Sequence, residues 1–324
     1  MKFLNFTRFT AAVALASTVL TLNAGDKFEM IKYGDFNSWI TRRITESWAI
    51  GGKDRDLYEI GPSNIIIGNK PYNGSSPWAT SNVYAKVSGI TKGSCAVLPG
   101  ERNGSDKCAK LTSKMETVKV LGVINMDVMV AGSIFLGKMI EPVSSTKDPY
   151  KKMIMGIPYT HRPEALRFDY KIDMPAENTR IRSTGFGSKK TLQGRDKPVI
   201  FVMLQRRWED PDGTVHAKRV ASGSRKFTNG AKTWQNAQTL PLIYGDPTGK
   251  PGYDASTLAL RNTKSTYYYT KNSKGNMVPI LEEGWDDPNA TPTHVIVMIS
   301  AGSGEPFVAS PGLNFYVDNV GFVL

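Results

Sequence analysis

The feature that most constrains the fold is a succession of short apolar segments with a two-residue period. In the clearest of them, Leu166, Phe168 and Tyr170 alternate with charged residues. This alternation is typical of a strand with one buried face. Residues 199–204 are apolar at every position, which favours a central strand buried on both faces.

Turn-forming residues separate these segments. Clusters of Gly, Pro, Asn and Asp lie at 249–252, 286–289 and 302–304. Such clusters favour turns, and sustained helical periodicity is lacking. The spacing of Ile40, Ile44 and Trp48 favours one short helix within 38–49. Many short strands with turns between them predict an all-β fold, a two-layer β-sandwich of the jelly-roll type.

The first 24 residues have the organisation of a secretory signal. Lys2 and Arg8 precede an uncharged apolar run at 11–22, and Ala24 offers a small residue for cleavage. The run is shorter than the roughly 20 residues that a membrane-spanning helix needs. We therefore predict a signal peptide over 1–24 and no membrane span. The protein should be exported to the periplasm, the cell surface or the medium.

The length of the chain limits the number of domains. A chain of 324 residues suits one large β domain or two smaller ones, and no internal repeat or long linker divides it. We predict a main domain over 78–324. Residues 25–77 precede it as an N-terminal arm or a small lobe.

The chain is basic, with a formal net charge of +12. Basic pairs lie at 206–207, 218–219 and 225–226. A basic surface is typical of proteins that bind nucleic acid, anionic membranes or acidic polysaccharides, and it also serves solubility alone. Export and the lack of nucleic-acid-binding motifs exclude nucleic acid as a partner. Polysaccharide or oligosaccharide, including acidic forms, is the expected ligand.

Two cysteines, Cys95 and Cys108, lie in a stretch rich in Gly, Ser and charge. In an oxidising compartment, a local pair of this kind favours a disulfide. Two free thiols are the alternative. A zinc site is not indicated, because two cysteines cannot complete a tetrahedral set.

Catalytic motifs are lacking. The sequence has no G-x-S-x-G nucleophile elbow and no H-E-x-x-H zinc motif. Acidic residues cluster at 209–212 and 282–287, and a glycosidase needs two carboxylates about 5–10 Å apart. Acidic clusters at strand ends are more often solvated turns, so no catalytic residue is predicted.

Aromatic residues on a β-sandwich either fill the core or form flat platforms for sugar rings. Trp285 lies among acidic residues and turn formers, and Trp208 lies beside two arginines. We predict these two rings as exposed sugar platforms and Tyr268 as a third. Arg206 and Arg207 would be their partners for acidic sugars.

Several motifs together resemble one bacterial family. They are Trp78-Ala-Thr-Ser-Asn82, Ala131-Gly-Ser-Ile-Phe-Leu-Gly-Lys138, Gly156-Ile-Pro158 with Arg162-Pro163 and Ala165-Leu166 ahead of Tyr170-Lys171, and the closing stretch Phe307–Val320 with Val317-Asp318-Asn319-Val320. This set resembles the signature of the bacterial putative carbohydrate metabolism domain family, over about 78–324.

The resemblance implies a jelly-roll sandwich, export, and a role in bacterial polysaccharide use. It also implies a structural Ca²⁺ between the first and last strands, with Asp35 and Asp318 as ligands. Calcium needs six to eight oxygens, so backbone carbonyls would complete the site. The alternative is that Asp318 and Asn319 bond only to the local backbone.

Three functions remain open. The prediction is an exported, non-catalytic carbohydrate-binding protein. The first alternative is a glycoside hydrolase or polysaccharide lyase, which would show two facing carboxylates in a cleft. The second alternative is an adhesin-like surface interaction protein, which would show neither such a cleft nor an exposed aromatic strip.

Overall fold

The computed structural model describes residues 27–120, 124–185 and 187–324, so the predicted signal peptide lies outside the described residues. These residues form twenty-six strands, one short α-helix and two 3₁₀ helices. The all-β prediction is therefore confirmed.

The first half of the chain contributes β1 (Phe28–Met30), β2 (Trp39–Thr45), β3 (Asp54–Ile60), β4 (Asn64–Ile67), β5 (Trp78–Thr80), β6 (Val83–Val87), β7 (Ile90–Ser94), β8 (Val97–Asn103), β9 (Asp106–Val120), β10 (Ile124–Ala131), β11 (Ser133–Met139), β12 (Met153–Met155) and β13 (Ile157–Pro158). The second half contributes β14 (Ala165–Asp173), β15 (Thr179–Arg182), β16 (Thr184–Gly185), β17 (Lys190–Gln193), β18 (Val199–Glu209), β19 (Val215–Lys226), β20 (Ala231–Pro241), β21 (Ile243–Tyr244), β22 (Tyr269–Lys271), β23 (Met277–Trp285), β24 (His294–Ser300), β25 (Val308–Ala309) and β26 (Asn314–Val323). Helix α1 spans Ala255–Leu258, and the 3₁₀ helices span Trp48–Ile50 and Pro149–Lys152.

An eight-stranded sheet forms one layer of the molecule. Its order is β16-β10-β9-β26-β14-β20, with β1 paired to β26 and β8 paired to β9. The last strand of the chain, β26, lies between β9 and β14. This sheet therefore joins the amino-terminal and carboxyl-terminal parts of the described chain.

A ten-stranded sheet forms the second layer and curls back on itself. Its path runs β24-β18-β19-β23-β22-β12-β11, and β11 pairs again with β24. Strand β18, predicted as a central strand, lies between β24 and β19. The curled sheet consequently has two buried faces, one toward the other layer and one toward its own interior.

The main core lies between the two layers. Leu166, Phe168 and Phe315 enter it from the eight-stranded sheet, and Ile200 and Val297 enter it from the ten-stranded sheet. A second apolar cluster, which includes Phe201 and Met298, covers the opposite face of the ten-stranded sheet. Burial of apolar surface from two packed sheets is the arrangement of a β-sandwich, so the predicted sandwich is confirmed.

The prediction of a helix within 38–49 is wrong for most of that segment. Trp39–Thr45 is strand β2, which pairs with β3 and β4 in a three-stranded sheet. Positions i and i+4 share a face in a strand as well as in a helix, so the spacing of Ile40 and Ile44 could not separate them. Trp39 and Ile60 of this sheet enter the main core. The predicted boundary at 77/78 stays a prediction.

In the part of the chain that the structure describes, no helix has the length and apolarity needed to cross a membrane.

Candidate functional site

The outer face of the eight-stranded sheet carries a group of charged and aromatic side chains. On β14, Leu166 and Phe168 point into the core, so alternation places Asp169 on the outer face. On β26, Phe315 and Val317 are core residues, and Asp318 lies on the outer face. The two aspartates are opposite each other in the β14–β26 ladder. The chain therefore brings two carboxylates together on one face.

Arg102, at the end of β8, bonds both carboxylates. Its Nη2 lies 2.7 Å from Oδ2 of Asp169, and its Nη1 lies 2.5 Å from Oδ2 of Asp318. Nη2 also donates to Oδ1 of Asn236 at 2.9 Å. Asp169 and Asp318 are 4 % and 1 % exposed, and buried charges of this kind require paired partners. We call Arg102, Asp169 and Asp318, together with the Trp234 ring beside Arg102, the arginine platform.

Backbone strain accompanies both carboxylates. Ala237 and Asn319 both adopt φ of 51°, a region that non-glycine residues rarely occupy. The N–H of Ala237 donates to Asp169 at 2.6 Å, and the N–H of Asn319 donates to Asp318 at 2.8 Å. The ladder is also irregular between Arg167 and Asp169. Strained residues held by their surroundings are typical of functional sites.

Trp234 of β20 completes the platform. Its ring lies 4.6 Å from the guanidinium carbon of Arg102 and is partly exposed. Tyr316, two residues before Asp318, has a similar environment, because the ammonium groups of Lys171 and Lys110 lie 4.3 and 5.6 Å from its ring. Two aromatic rings with cations beside them therefore lie on this face.

Burial dominates the electrostatics of the arginine platform. It raises the pKa of Asp318 to about 6, although the hydrogen bond and charge of Arg102 act in the opposite direction. Burial also raises the pKa of Tyr316 to about 12, with a further contribution from Asp173. Tyr316 is consequently a neutral donor and acceptor at physiological pH.

The structure places Trp208 in a separate polar patch at the end of β18. Its ring stacks on His216, with centroids 5.4 Å apart and planes 11° apart. Arg206 is exposed and forms a bidentate pair with Asp286 at 2.7 and 3.0 Å. Its guanidinium lies 5.9 Å from the Trp208 ring. The Trp208 ring is partly exposed, and its role as a sugar platform stays a prediction.

Trp285 lies at the end of β23 against a different partner. The guanidinium of Arg219, which is fully buried, lies 5.4 Å from the Trp285 ring. Arg219 forms a buried ion pair with Glu282. Trp285 is partly exposed. Trp208 therefore packs against His216 and Arg206, whereas Trp285 packs against Arg219.

Two of the predicted sugar contacts are not on the open surface. Tyr268 is 2 % exposed, because its ring lies between Phe201 and Tyr150 in the second apolar cluster. Arg207 is partly buried. Its Nε donates to Oε1 of Gln205 at 2.8 Å, and its Nη2 donates to the carbonyl of Met155 at 2.9 Å. Burial lowers the pKa of Arg207 to about 9. Neither is the exposed contact that the sequence predicts.

The predicted disulfide is absent. Cys95 and Cys108 are both free and buried. Cys108 lies opposite Gly100 in the β8–β9 ladder, whereas Cys95 precedes β8. Gly100 lies five positions after Cys95, a separation of about 16 Å in extended chain, which exceeds the reach of a disulfide.

The residues predicted for calcium do not form an acidic cage. The backbone does bring the two chain ends together, since the N–H of Val320 donates to the carbonyl of Gly34. However, Arg102 supplies the positive charge for Asp318, and the Asn319 N–H takes its other oxygen. Among the described residues, no three or more His, Cys, Asp or Glu side chains form a metal-binding group. The donor set therefore does not fit Ca²⁺.

Sequence reasoning missed Trp234 and Arg102 as site residues. Trp234 lies in the polar segment Lys232-Thr-Trp-Gln-Asn236, and a tryptophan with polar neighbours on both sides is a signal for an exposed ring. No sequence signal pairs Arg102 with Asp318, because 216 residues separate them. Asp169 lay inside the recognised motif at an outward position of its strand.

Comparisons with known proteins agree with the recognised motifs. Residues 54–271 match the model of the family described as "Putative carbohydrate metabolism domain". The chain belongs to this family, which confirms the resemblance. The closing motif at 307–320 lies beyond the matched residues. No curated protein matches the chain.

Two solved structures are similar in outline. A putative glycoside hydrolase from Bacteroides thetaiotaomicron is 11 % identical, with a TM-score of 0.43, and the alignment covers 84 % of this chain and 75 % of that chain. A putative glycoside hydrolase from Bacteroides vulgatus is 14 % identical, with a TM-score of 0.42, and the alignment covers 92 % of this chain and 95 % of that chain.

Proposed function

We propose that this member of the carbohydrate metabolism domain family is an exported protein that binds glycans without cleaving them. The observation that carries the proposal is the arginine platform, in which the Trp234 ring lies 4.6 Å from a guanidinium that two buried carboxylates hold. A rigid aromatic plate loses little conformational entropy on binding, and preorganisation of this kind favours affinity.

The surroundings of Trp234 suit a sugar ring. A pyranose presents an apolar C–H face, which an aromatic ring contacts, and a rim of hydroxyl groups. Asn236 is exposed beside the ring, and Asn319 and Tyr316 are partly exposed on the same sheet. These groups supply the polar contacts that fix orientation. Lys110 and Lys171, both near Tyr316, favour glycans that carry carboxylate or sulfate groups.

The arrangement favours binding over hydrolysis. A glycosidase needs one carboxyl group as acid and another as base or nucleophile. In the arginine platform a single guanidinium bonds both Asp169 and Asp318. One observation favours the second candidate, a glycoside hydrolase, because the raised pKa of Asp318, about 6, suits a general acid.

The experiment starts with a glycan array on the protein after removal of residues 1–24. Calorimetric titration with the best glycan then compares the wild type with Trp234→Ala. We expect a loss of about 2 kcal/mol, or roughly thirtyfold in Kd. Trp234→Phe keeps a flat ring and should retain most of the affinity. Trp48→Ala, which removes a ring that is 89 % exposed, is the matched control and should bind as the wild type does.

Three further measurements separate the alternatives. Trp208→Ala and Trp285→Ala test the two platforms predicted from the sequence. A larger loss of glycan affinity in either variant than in Trp234→Ala would show that the binding site lies there and not at the arginine platform. Release of reducing ends by the wild type but not by Asp318→Asn would establish the hydrolase. A folded wild type that binds no glycan at millimolar sugar would contradict the proposal. It would favour the hypothesis of an adhesin-like surface interaction protein.

A further inference from the structure

A large cavity lies apart from the arginine platform and shares no residue with it. This cavity, of about 600 Å³, borders the face of the ten-stranded sheet that points away from the main core. Phe201 of β18 and Met298 of β24 line it, while their chain neighbours Ile200 and Ile299 enter the main core. Hairpins β6–β7 and β9–β10 form its walls, with residues 302–307.

The lining of this cavity is mostly hydrocarbon and thioether. The apolar side chains from the two hairpins and the neighbouring strands include Val83, Ile90, Val118, Val128, Met139 and Met153. A sugar placed here would leave several hydroxyl groups without hydrogen-bond partners, which is unfavourable. Apolar cavities of this kind bind apolar molecules instead. The volume lies within the roughly 300–1,000 Å³ of small-molecule sites.

The charged residues of the lining differ in their pairing. Four of them have ionic partners: Lys92 with Glu46, Glu116 with Lys114, Lys226 with Asp254, and Glu305 with Arg182. The side chains of the other two, Lys152 and Arg261, form no ion pair with a carboxylate among the described residues. The charge left over in the cavity is therefore positive.

Arg261 has further unused capacity. Its Nη2 donates to the carbonyl of Thr257 at 2.8 Å, and its guanidinium lies 4.9 Å from the ring of Tyr268. Its Nε is buried and has no hydrogen-bond partner. A buried donor without an acceptor is unfavourable, and a ligand with an anionic group would supply that acceptor.

The two unpaired cations belong to the same part of the cavity. Tyr268, beside Arg261, packs edge-to-face on Tyr150 at 5.3 Å. Tyr150 and Lys152 belong to the same 3₁₀ helix, Pro149–Lys152. The cavity therefore has a positively charged end and long apolar walls, an arrangement complementary to an amphiphile.

We propose that this cavity binds a single-chain amphiphile with an anionic head group, specifically a long-chain carboxylate. The apolar chain lies between the two hairpins and the floor formed by Phe201 and Met298. The carboxylate accepts hydrogen bonds from Arg261 and lies near Lys152. This site shares no residue with the arginine platform, although β9 and β10 of the eight-stranded sheet form part of its wall.

Calorimetric titration with dodecanoate below its critical micelle concentration tests the proposal. We expect saturable binding with one molecule per chain. Dodecanol and dodecyltrimethylammonium have the same chain length without an anion and should bind at least tenfold more weakly. Dodecyl phosphate separates a carboxylate site from a phosphate site, and tighter binding of dodecyl phosphate would overturn the choice of carboxylate.

Variants assign the binding to the cavity. Arg261→Met should weaken dodecanoate at least tenfold without changing dodecanol, whereas Arg261→Lys should retain part of the affinity. Val128→Asp places a charge in the apolar wall and should abolish binding of both. Lys151→Met is the matched control, because Lys151 is exposed, pairs with Asp148 and does not line the cavity; its affinity should equal that of the wild type.

Two outcomes would overturn the inference. A folded wild type that binds no amphiphile would show that the cavity has no such ligand. A dimer in sedimentation experiments that Val128→Asp dissociates would show that a second copy of the chain covers the apolar walls. Glycan binding by the arginine platform should be unchanged by Arg261→Met, so failure here is separate from failure of the proposed function.

Discussion

The outer face of the eight-stranded sheet and the cavity beside the ten-stranded sheet use charge in opposite ways. In the arginine platform, the guanidinium of Arg102 forms ion pairs with two carboxylates. Its positive charge is therefore neutralised within the protein. In the cavity, the side chains of Arg261 and Lys152 form no ion pair with a carboxylate among the described residues. The ion-paired Arg102 has a structural role, whereas the guanidinium of Arg261 can still pair with an anionic ligand.

This difference also separates the chemistry of the two expected ligands. A partly exposed aromatic plate with amide neighbours suits a sugar, which needs one apolar face and many hydrogen bonds. An apolar volume with one cationic end suits a chain with a single anionic head. The two proposed sites therefore differ in polarity and share no residue.

The largest expected effect comes from breaking the arginine platform. Arg102→Met leaves Asp169 and Asp318 buried without a counter-charge, which should cost about 3–5 kcal/mol of unfolding free energy. Urea unfolding measures it. The exposed pair of Arg43 with Asp56 is the control, and Arg43→Met should change the stability much less, because solvent screens an exposed ion pair. Equal losses at the two positions would contradict the structural role of Arg102.

Two adjacent residues on β24 allow the stability contributions of the main core and of the cavity lining to be compared. Ile299 is fully buried in the main core, whereas Met298 lines the cavity. Ile299→Ala should cost roughly 2–5 kcal/mol, since it opens a new hole in a packed core. Met298→Ala should cost clearly less, because its side chain already borders empty volume. Thermal unfolding distinguishes them, and a larger loss at Met298 would show that the cavity is closed and packed.

The arginine platform should also make stability depend on pH. The pKa of Asp318 is about 6 in the folded chain, above its ordinary value of 3.8. The folded state therefore binds the proton more tightly than the unfolded state does. This contribution is fully present below about pH 4 and is lost as the pH rises through 6, with a change on the order of 2 kcal/mol. Urea unfolding between pH 4 and 7 should show a smaller decline for Asp318→Asn than for the wild type.

Sequence reasoning succeeded where the local pattern decides the structure. The alternation at 166–172 and the apolar run at 199–204 predicted strands that the structure contains as β14 and β18. It failed at Ile40 and Ile44, where a spacing of four fits both a helix and a strand. Local periodicity therefore identified the sheets better than it identified short ambiguous segments.

The sites could be predicted only in part because long-range pairing decides them. Trp208 and Arg206 are close in the chain, and the structure places them close together. The arginine platform joins residues from β8, β14, β20 and β26, and no local pattern indicates which strands become neighbours. Tyr268 was misplaced for the same reason, since the curl of the ten-stranded sheet buries it against Phe201.

The smallest expected effect uses the two cysteines as reporters of the two regions. Burial raises the pKa of Cys95 to about 11 and of Cys108 to about 12, so both thiols should react slowly with iodoacetamide in the folded chain. Cys95 follows Ser94, which lines the cavity. Cys108 lies on β9 with Asp318 as one of the charges that act on it.

Dodecanoate should therefore slow the alkylation of Cys95 and leave that of Cys108 unchanged, because a bound ligand stabilises the closed form of the region it contacts. Mass spectrometry of timed samples measures both rates in one experiment. A reducing agent should not change the melting temperature, since the two thiols are free. Equal slowing of alkylation at both cysteines would mean that the two regions open together as one cooperative unit. A lower melting temperature in the presence of a reducing agent would support the disulfide predicted from the sequence.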